Sequence, residues 1–415
     1  MTHRHVMPNG LVILVVENPV SDIVSARLLT RAGIAYEAPS QAGLFSLMAS
    51  VLTKGTAALS SIDIAERVES VGASLGTDAA ADYSLLSLKT VSADFPAILA
   101  LASQLWRSPT FPEPEVELER RLMLQGLRSM QEQPFTMAYN SLRKILYGEH
   151  PYGRPNLGTV ETVQRLNAED LRQAHTAYFR PDTTVISIAG RIAVSQAVAL
   201  VESVFSDWQV PPSPPPALIF PPVPQTSARS LVAQDTHQSI IMLGYQSAPV
   251  KAPQYAALKL LNTYLGNGLS SRLFVEMREK RGLAYDVSAF YPTRLGLSQF
   301  VAYIGTAPPN TQTALDGLKA EIERLCTTLL SEEELQVAKN KILGQYALGK
   351  QTNAQMAQLL GWYEILGLGI SFDQAFQTAI AEVTPENAKA TALESFTTPF
   401  IAALGPEAAI GVLQD

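Results

Sequence analysis

Side chains suited to hold a metal or to attack a substrate are few in this 415-residue chain. It has five histidines and one cysteine, and no two histidines lie four residues apart. Paired ligands on one helix face need that spacing, so the histidines alone predict no zinc site. No G-x-S-x-G nucleophile elbow or glycine-rich phosphate loop stands out. We expect His150, in a loop rich in proline and glycine, to stabilise a turn, and Cys326 to be a buried structural thiol.

Basic and acidic residues alternate with apolar ones in the run from Ser270 to Tyr285, which reads S-S-R-L-F-V-E-M-R-E-K-R-G-L-A-Y. The serines can cap a helix, and the basic residues fall in its last turn, where the helix dipole favours them. Gly282 fits the C′ position that ends a helix. The following residues alternate as on one face of a strand: Tyr285, Val287, Ala289 and Tyr291. The run therefore predicts a short helix that turns directly into a strand.

The same run resembles the signature S-S-R-L-F … R-E-K-R-G-L-A-Y in the C-terminal half of pitrilysin and mitochondrial-processing-peptidase relatives, the inverzincin metallopeptidases. In that family an arginine and a tyrosine seven residues apart bind the substrate backbone beside the zinc. The resemblance implies that Arg278 and Tyr285 bind a peptide substrate. Residue type alone would make Arg278 a solvated cation at a helix end and Tyr285 a half-buried strand aromatic.

The resemblance also implies where a zinc site should lie. Family members carry H-x-x-E-H on a first-half helix, with two histidines as ligands and the glutamate as general base, and a glutamate on a later helix as third ligand. Here the run from Gly43 to Thr56 reads G-L-F-S-L-M-A-S-V-L-T-K-G-T, and the later helix has glycine where the glutamate belongs. Hydroxyls, a methyl group and a hydrogen atom can neither hold zinc nor deprotonate water. We therefore expect no metal and no catalytic residue in this chain, the degenerate positions being Ser46, Ala49, Ser50 and Gly126.

Several elements position these residues. A stripe at i, i+3, i+4, i+7 and i+8 predicts a buried helix through Leu44, Leu47, Met48, Val51 and Leu52. Single cores stop growing at roughly 250–300 residues, so the length of the chain predicts two or three domains. Between Pro211 and Pro224, eight of fourteen residues are proline, which favours an extended connector. We predict domains at residues 1–207 and 227–415, joined by a linker at 208–226.

The second half of the chain repeats the first. The segment at 166–179 aligns with the segment at 383–396 at a constant offset of 217 residues. The repeat predicts an α+β fold of two homologous domains, each a mainly antiparallel sheet with helices packed on one side. Such a duplication is how the pitrilysin-like fold is built, and the resemblance covers essentially the whole chain.

Composition restricts the class of partner. Hydrophobic residues make up 47% of the chain and charged residues 17%, as in a well-buried globular protein. A net charge of −7 without a basic cluster argues against nucleic acid. No signal-peptide pattern and no apolar run of about 18 residues is present, so we expect no membrane partner. A single cysteine suits a reducing cytoplasm.

Bacterial and organellar relatives often divide their work between a chain with the zinc motif and a chain without it. This sequence is similar to the second kind. The resemblance implies a non-catalytic, substrate-binding subunit of a heterodimeric zinc metalloendopeptidase that acts on peptides or presequences, with zinc in the homologous partner. The alternatives are a purely structural or assembly subunit and a homodimeric peptide-binding chamber. Retention of both Arg278 and Tyr285 favours the first interpretation.

Overall fold

A computed structural model describes residues Thr2–Gln414, which build two β-sheets. The first sheet has the strand order β1-β2-β6-β3-β5-β4, and the second has the order β7-β11-β8-β10-β9. The strands are β1 (Thr2–Val6), β2 (Val12–Glu17), β3 (Ile23–Thr30), β4 (Ser74–Ala79), β5 (Ser84–Val91), β6 (Thr184–Gly190), β7 (Ala228–Ala233), β8 (Ser239–Ser247), β9 (Asp286–Phe290), β10 (Ser298–Thr306) and β11 (Phe400–Gly405).

Helices occupy most of the remaining chain, together with a π-helical turn at Phe274–Lys280 and short 3₁₀ turns. The α-helices are α1 (Leu44–Val51), α2 (Ser61–Glu69), α3 (Phe95–Arg107), α4 (Glu113–Met130), α5 (Pro134–Tyr147), α6 (Val160–Arg165), α7 (Ala168–Tyr178), α8 (Val194–Phe205), α9 (Tyr255–Gly266), α10 (Thr311–Thr327), α11 (Glu332–Leu348), α12 (Asn353–Ile365), α13 (Phe372–Glu382), α14 (Pro385–Ser395) and α15 (Glu407–Gly411).

Apart from β1, which has no counterpart in the second sheet, the two sheets share one topology. Within residues 2–414, β2 and β6 are the one parallel pair of the first sheet, and β7 and β11 are that of the second. The parallel pair is followed in both sheets by three antiparallel strands in matching order. Helices α7 and α14 begin at Ala168 and Pro385, an offset of 385 − 168 = 217 residues. The predicted α+β class and its mainly antiparallel sheets are confirmed.

Each sheet has helices on both faces. Ala26 and Leu28 of β3 join the core formed with α1, α3 and α8, whereas Leu29 points to the other face. Gly361 of α12 packs against Leu29 there. In the second sheet, Gly244 of β8 packs against Leu142 of α5. The sequence predicted helices on one side of each sheet, and one further helix covers the second face of each sheet, α12 in the first and α5 in the second.

The chain divides into two compact units. The first takes in residues through Leu127, then Pro155–Ile219 and Ala347–Asp373, and so includes α12. The second takes in Arg128–Arg154, which contains α5, with Phe220–Tyr346 and the residues from Gln374 onward. Between α8 and β7 the proline-rich stretch has neither helix nor strand. The limits 1–207 and 227–415 stay a prediction about the two repeated halves of the sequence. The compact units divide the chain differently, because the periodicity of a helix does not specify which sheet the helix will cover.

Candidate functional site

The run from Ser270 to Tyr285 folds as a helix that widens into the π-helical turn Phe274–Lys280. Its end is the predicted one, since Gly282 has a φ of +62° and its N–H donates to the carbonyl oxygen of Arg278. Leu273 and Met277 on its apolar face are fully buried. The π geometry was not predicted. Single π-helical turns within helices are frequent at functional sites.

Arg278 and Tyr285 meet at the end of this turn. Nη1 of Arg278 donates to the main-chain oxygen of Tyr285 at 3.1 Å, and its guanidinium lies 5.1 Å from the centre of the Phe274 ring. The N–H of Tyr285 donates to the carbonyl oxygen of Gly305 at 2.9 Å. Backbone bonds and a cation–π contact therefore hold the pair in place.

The phenol of Tyr285 points into solvent. Tyr285 is 63% exposed. Its hydroxyl forms no hydrogen bond with any group of residues 2–414. The prediction that Tyr285 shares one strand face with Val287, Ala289 and Tyr291 is therefore correct only in part. Those three residues are buried, whereas Tyr285 is exposed. Strand β9 begins at Asp286, so Tyr285 lies just before it, at an exposed position. The tyrosine is free to contact a ligand.

Ion pairs fix the turn to α10. The carboxylate of Glu276, which is 8% exposed, lies 3.0 Å from Nη1 of Arg272 and 2.8 Å from Nζ of Lys280. The hydrogen bond from Lys280 and the charge of Arg272 lower the pKa of Glu276. Nε of Arg272 donates to Oε2 of Glu321 on α10 at 2.8 Å. Because breaking a buried pair leaves an uncompensated charge, the network opposes movement of the turn.

The degenerate metal positions come together where α1 and α4 approach one loop. Oγ of Ser46 donates to the carbonyl oxygen of Asn156 at 2.8 Å, and Oγ of Ser50 donates to that of Ser46 at 3.2 Å. A Cβ built on Gly126 would meet only Cδ1 of Leu157, at 4.0 Å. The stripe predicted for α1 is buried as expected.

These positions do not fit zinc. Two neutral hydroxyls, each already bonded to a carbonyl, a methyl group and a glycine supply none of the ligands that catalytic zinc uses. The nearby carboxylate of Glu37 is committed to the start of α1, because it accepts from the N–H groups of Gly43 and Phe45 at 2.9 and 2.8 Å. Sequence reasoning missed this cap, since Glu37 lies seven positions before Leu44, where α1 begins.

His150 and Cys326, for which the sequence predicts structural roles, differ in how far the structure agrees. Nδ1 of His150 accepts from the N–H of Tyr152 at 3.2 Å, which confirms the turn-stabilising role, and burial lowers the His150 pKa to about 4. Cys326 is half-buried rather than buried, because it lies at the edge of the apolar face of α10, and this burial raises its thiol pKa.

Family models match consecutive parts of the chain. Residues 12–160 match the model described as insulinase (peptidase family M16), and residues 165–342 match the one described as peptidase M16 inactive domain. The chain belongs to peptidase family M16. The predicted resemblance is thereby confirmed. No helical segment in the described part of this M16 protein combines the length and the apolar character that spanning a bilayer requires.

Similar M16 proteins cover nearly the whole chain. An uncharacterized zinc protease of Streptomyces coelicolor is 26% identical over 410 residues, which cover 97% of this chain and 89% of the relative. The uncharacterized zinc protease YmxG of Bacillus subtilis is 26% identical over 97% of this chain and 98% of its own. A solved peptidase M16 inactive domain from Pseudomonas fluorescens matches with a TM-score of 0.91 at 26% identity, over 98% of both chains. A Helicobacter pylori protease shares the fold, with a TM-score of 0.92 at 20% identity over 98% of this chain and 100% of its own.

Proposed function

We propose that this M16 protein is the non-catalytic, substrate-binding subunit of a heterodimeric zinc metalloendopeptidase that acts on peptides or presequences in the cytoplasm. One contrast carries the proposal. The α1 and α4 positions have lost every zinc ligand and the general base, whereas Arg278 and Tyr285 are kept, adjacent and exposed. The zinc is supplied by a homologous H-x-x-E-H partner. The matches to the two M16 models support a peptidase-like role for the chain, and the division of labour rests on the contrast between these residues.

The pair can stabilise charge on a substrate carbonyl. When a peptide bond is attacked, its carbonyl oxygen gains negative charge, and donors already aimed at that oxygen lower the barrier. The guanidinium uses one N–H to hold the Tyr285 carbonyl and keeps further donors, while the phenol offers its O–H. An ion-pair network with buried carboxylates under the turn keeps both donors preorganised.

Strand β4 supports peptide binding in the first unit. In the part of the chain that the structure describes, it is an edge strand whose one neighbour is β5, and its residues alternate between exposed and half-buried. An edge strand presents unpaired N–H and C=O groups, to which an extended peptide can add as a further strand. The hydroxyl of Thr77 on β4 donates to the carbonyl of Ala49, so this edge is tied to α1.

Steady-state cleavage by the heterodimer, reconstituted with an H-x-x-E-H homologue from the same genome, tests the proposal. Tyr285→Phe removes one donor and should lower kcat by about 10²–10³. Arg278→Ala should lower kcat and also raise KM, because a guanidinium can hold the unreacted carbonyl as well.

Tyr303→Phe is the matched control, since that hydroxyl bonds Asp286 within the same sheet at 3.1 Å. It should cleave within a few-fold of wild type. All variants must assemble and keep the wild-type melting temperature. Wild-type rates for both Tyr285→Phe and Arg278→Ala would leave the chain a structural subunit and overturn the proposal.

A further inference from the structure

A cavity of about 510 Å³ lies in the first unit beside α12, apart from the degenerate metal positions. Arg27 of β3 lines it from the sheet, on the face that α12 covers. Its volume is within the range of about 300–1,000 Å³ that small-ligand pockets have. Further lining residues with chemical meaning are Tyr83, Gln355, Gln358, Leu359 and Trp362.

The guanidinium of Arg27 is partly buried and has only neutral acceptors. Nε donates to Oε1 of Gln358 at 3.1 Å, and Nη1 donates to the carbonyl oxygens of Ala26 and Leu88 at 2.9 and 3.4 Å. No carboxylate of residues 2–414 forms an ion pair with it. Burial lowers the pKa of Arg27, so its surroundings disfavour the charge that it carries. A bound anion would compensate that charge.

The two glutamines add hydrogen-bond donors. Oε1 of Gln355 accepts from the N–H and the hydroxyl of Thr352 at 3.0 and 3.1 Å, which caps α12. Oε1 of Gln358 accepts from Arg27. Neither Nε2 group has an acceptor among residues 2–414, so the N–H groups of both amides remain for a ligand. No aspartate or glutamate lines the cavity. The lining therefore combines one cation with neutral donors.

The remaining wall is apolar. Leu359 and Trp362 lie three residues apart on one face of α12, and the ring of Tyr83 lines the same space. One cation neutralises a monoanion fully but a phosphate dianion only in part. An apolar wall beside the charge suits an anion joined to a hydrophobic group.

We infer that this cavity binds a carboxylate of a peptide, with the carboxylate on Arg27 and the glutamine amides and an adjacent apolar side chain against Leu359 and Trp362. This inference rests on the proposed function, because a peptide is its ligand. The carboxylate comes from the peptide C-terminus or from an acidic side chain, and both present the same group.

Calorimetric titration of the full chain with three hexapeptides of one sequence ending in leucine separates the sources. One has a free C-terminal carboxylate, the second is amidated, and the third is amidated with a glutamate before the leucine. The first should bind and the second should bind at least about tenfold more weakly, since a charge-assisted bond is lost. Binding of the third like the first would identify an acidic side chain as a source.

Arg27→Gln should weaken binding of the free acid by about ten- to a hundredfold. Arg27→Lys, which keeps the charge without the planar fork, should recover part of the affinity. Arg165→Gln removes an exposed arginine on α6 and is the matched control with unchanged affinity. Trp362→Phe should abolish any change in tryptophan fluorescence on binding, since it removes the reporter in the cavity.

Equal affinity for all three peptides, or an Arg27→Gln variant that is folded and binds normally, would overturn the inference. So would competition by inorganic phosphate below the peptide's own dissociation constant, because the site would then be a phosphate site. Tyr285→Phe is titrated in parallel. The proposed function fails on cleavage rates with that variant, whereas this inference fails on carboxylate affinity, so the two failures are distinguishable.

Discussion

The packing of α12 on the first sheet depends on one glycine. Gly361 is buried, and a Cβ added to it would lie 2.6 Å from Cδ1 of Leu29 and 3.1 Å from Cβ of Ser187. The first distance is well inside van der Waals contact. Leu29 is fully buried between the sheet and the helix, so it has little room to move away. We expect Gly361→Ala to displace α12 or strain Leu29.

Two opposing effects determine how much Gly361→Ala changes the free energy of unfolding. Forcing a methyl group into a packed core costs about 1–3 kcal/mol. Alanine is better than glycine inside a helix by about 1 kcal/mol. Gly361→Ala should therefore lower the free energy of unfolding by about 0–2 kcal/mol. Gly344→Ala in α11 is the matched control, because its added Cβ meets no atom within 4 Å and only the helix gain remains.

Urea unfolding followed by circular dichroism measures both variants. Gly344→Ala should raise the urea midpoint of unfolding. At equal dependence on urea concentration, the free energy of unfolding of Gly361→Ala should be about 1–3 kcal/mol lower than that of Gly344→Ala, and this difference is the packing cost alone. If both variants stabilise the protein equally, α12 does not pack on Leu29 as described, and the cavity beside α12 loses its wall.

Two further predictions concern buried chemistry and the degenerate metal positions. His175 is buried with Nε2 2.9 Å from the carbonyl oxygen of Trp106, and burial lowers its pKa from 6.5 to about 4. The folded state thus favours the neutral ring. The resulting contribution to the free energy of unfolding is about 3 kcal/mol at most; it is complete above pH 6.5 and is lost as the pH falls to about 4. Unfolding midpoints between pH 7 and 4 should show a shallower decline for His175→Gln, and identical declines would refute the assignment. The combined variant Ser46→His, Ala49→Glu, Ser50→His and Gly126→Glu should regain zinc binding in calorimetry, since Gly126 has room for a side chain. Activity is not expected without groups that orient the new ligands, and a folded variant without zinc affinity would show that α1 and α4 no longer hold family geometry.

Local patterns predicted the elements that carry the site. The stripe of α1 and the glycine that ends the Phe274–Lys280 turn follow from side-chain periodicity and from φ preference, which act within a few residues. The duplication followed from a constant offset, and the shared strand order agrees with it. The proximity of Arg278 and Tyr285 also followed from a helix that turns directly into a strand.

Other features depend on contacts between distant segments. The placement of α12 on the first sheet rests on Gly361 meeting Leu29, more than 300 positions away in sequence. No pattern within α12 encodes that choice. The cavity beside Arg27 was missed for the same reason, since a charged residue in a buried strand shows its meaning only when α12 is in place. The π-helical turn escaped prediction because π and α geometry share one sequence pattern.

Zinc analysis of the separated and combined subunits tests the proposed division of labour most directly. Elemental mass spectrometry of the isolated chain, after dialysis against zinc and then buffer, should find no zinc above a metal-free control. The heterodimer should hold one zinc, which the H-x-x-E-H partner retains when the subunits are separated, and only the heterodimer should cleave peptides at full rate. One tightly bound zinc per isolated chain, or peptide cleavage by that chain alone, would contradict the proposed role.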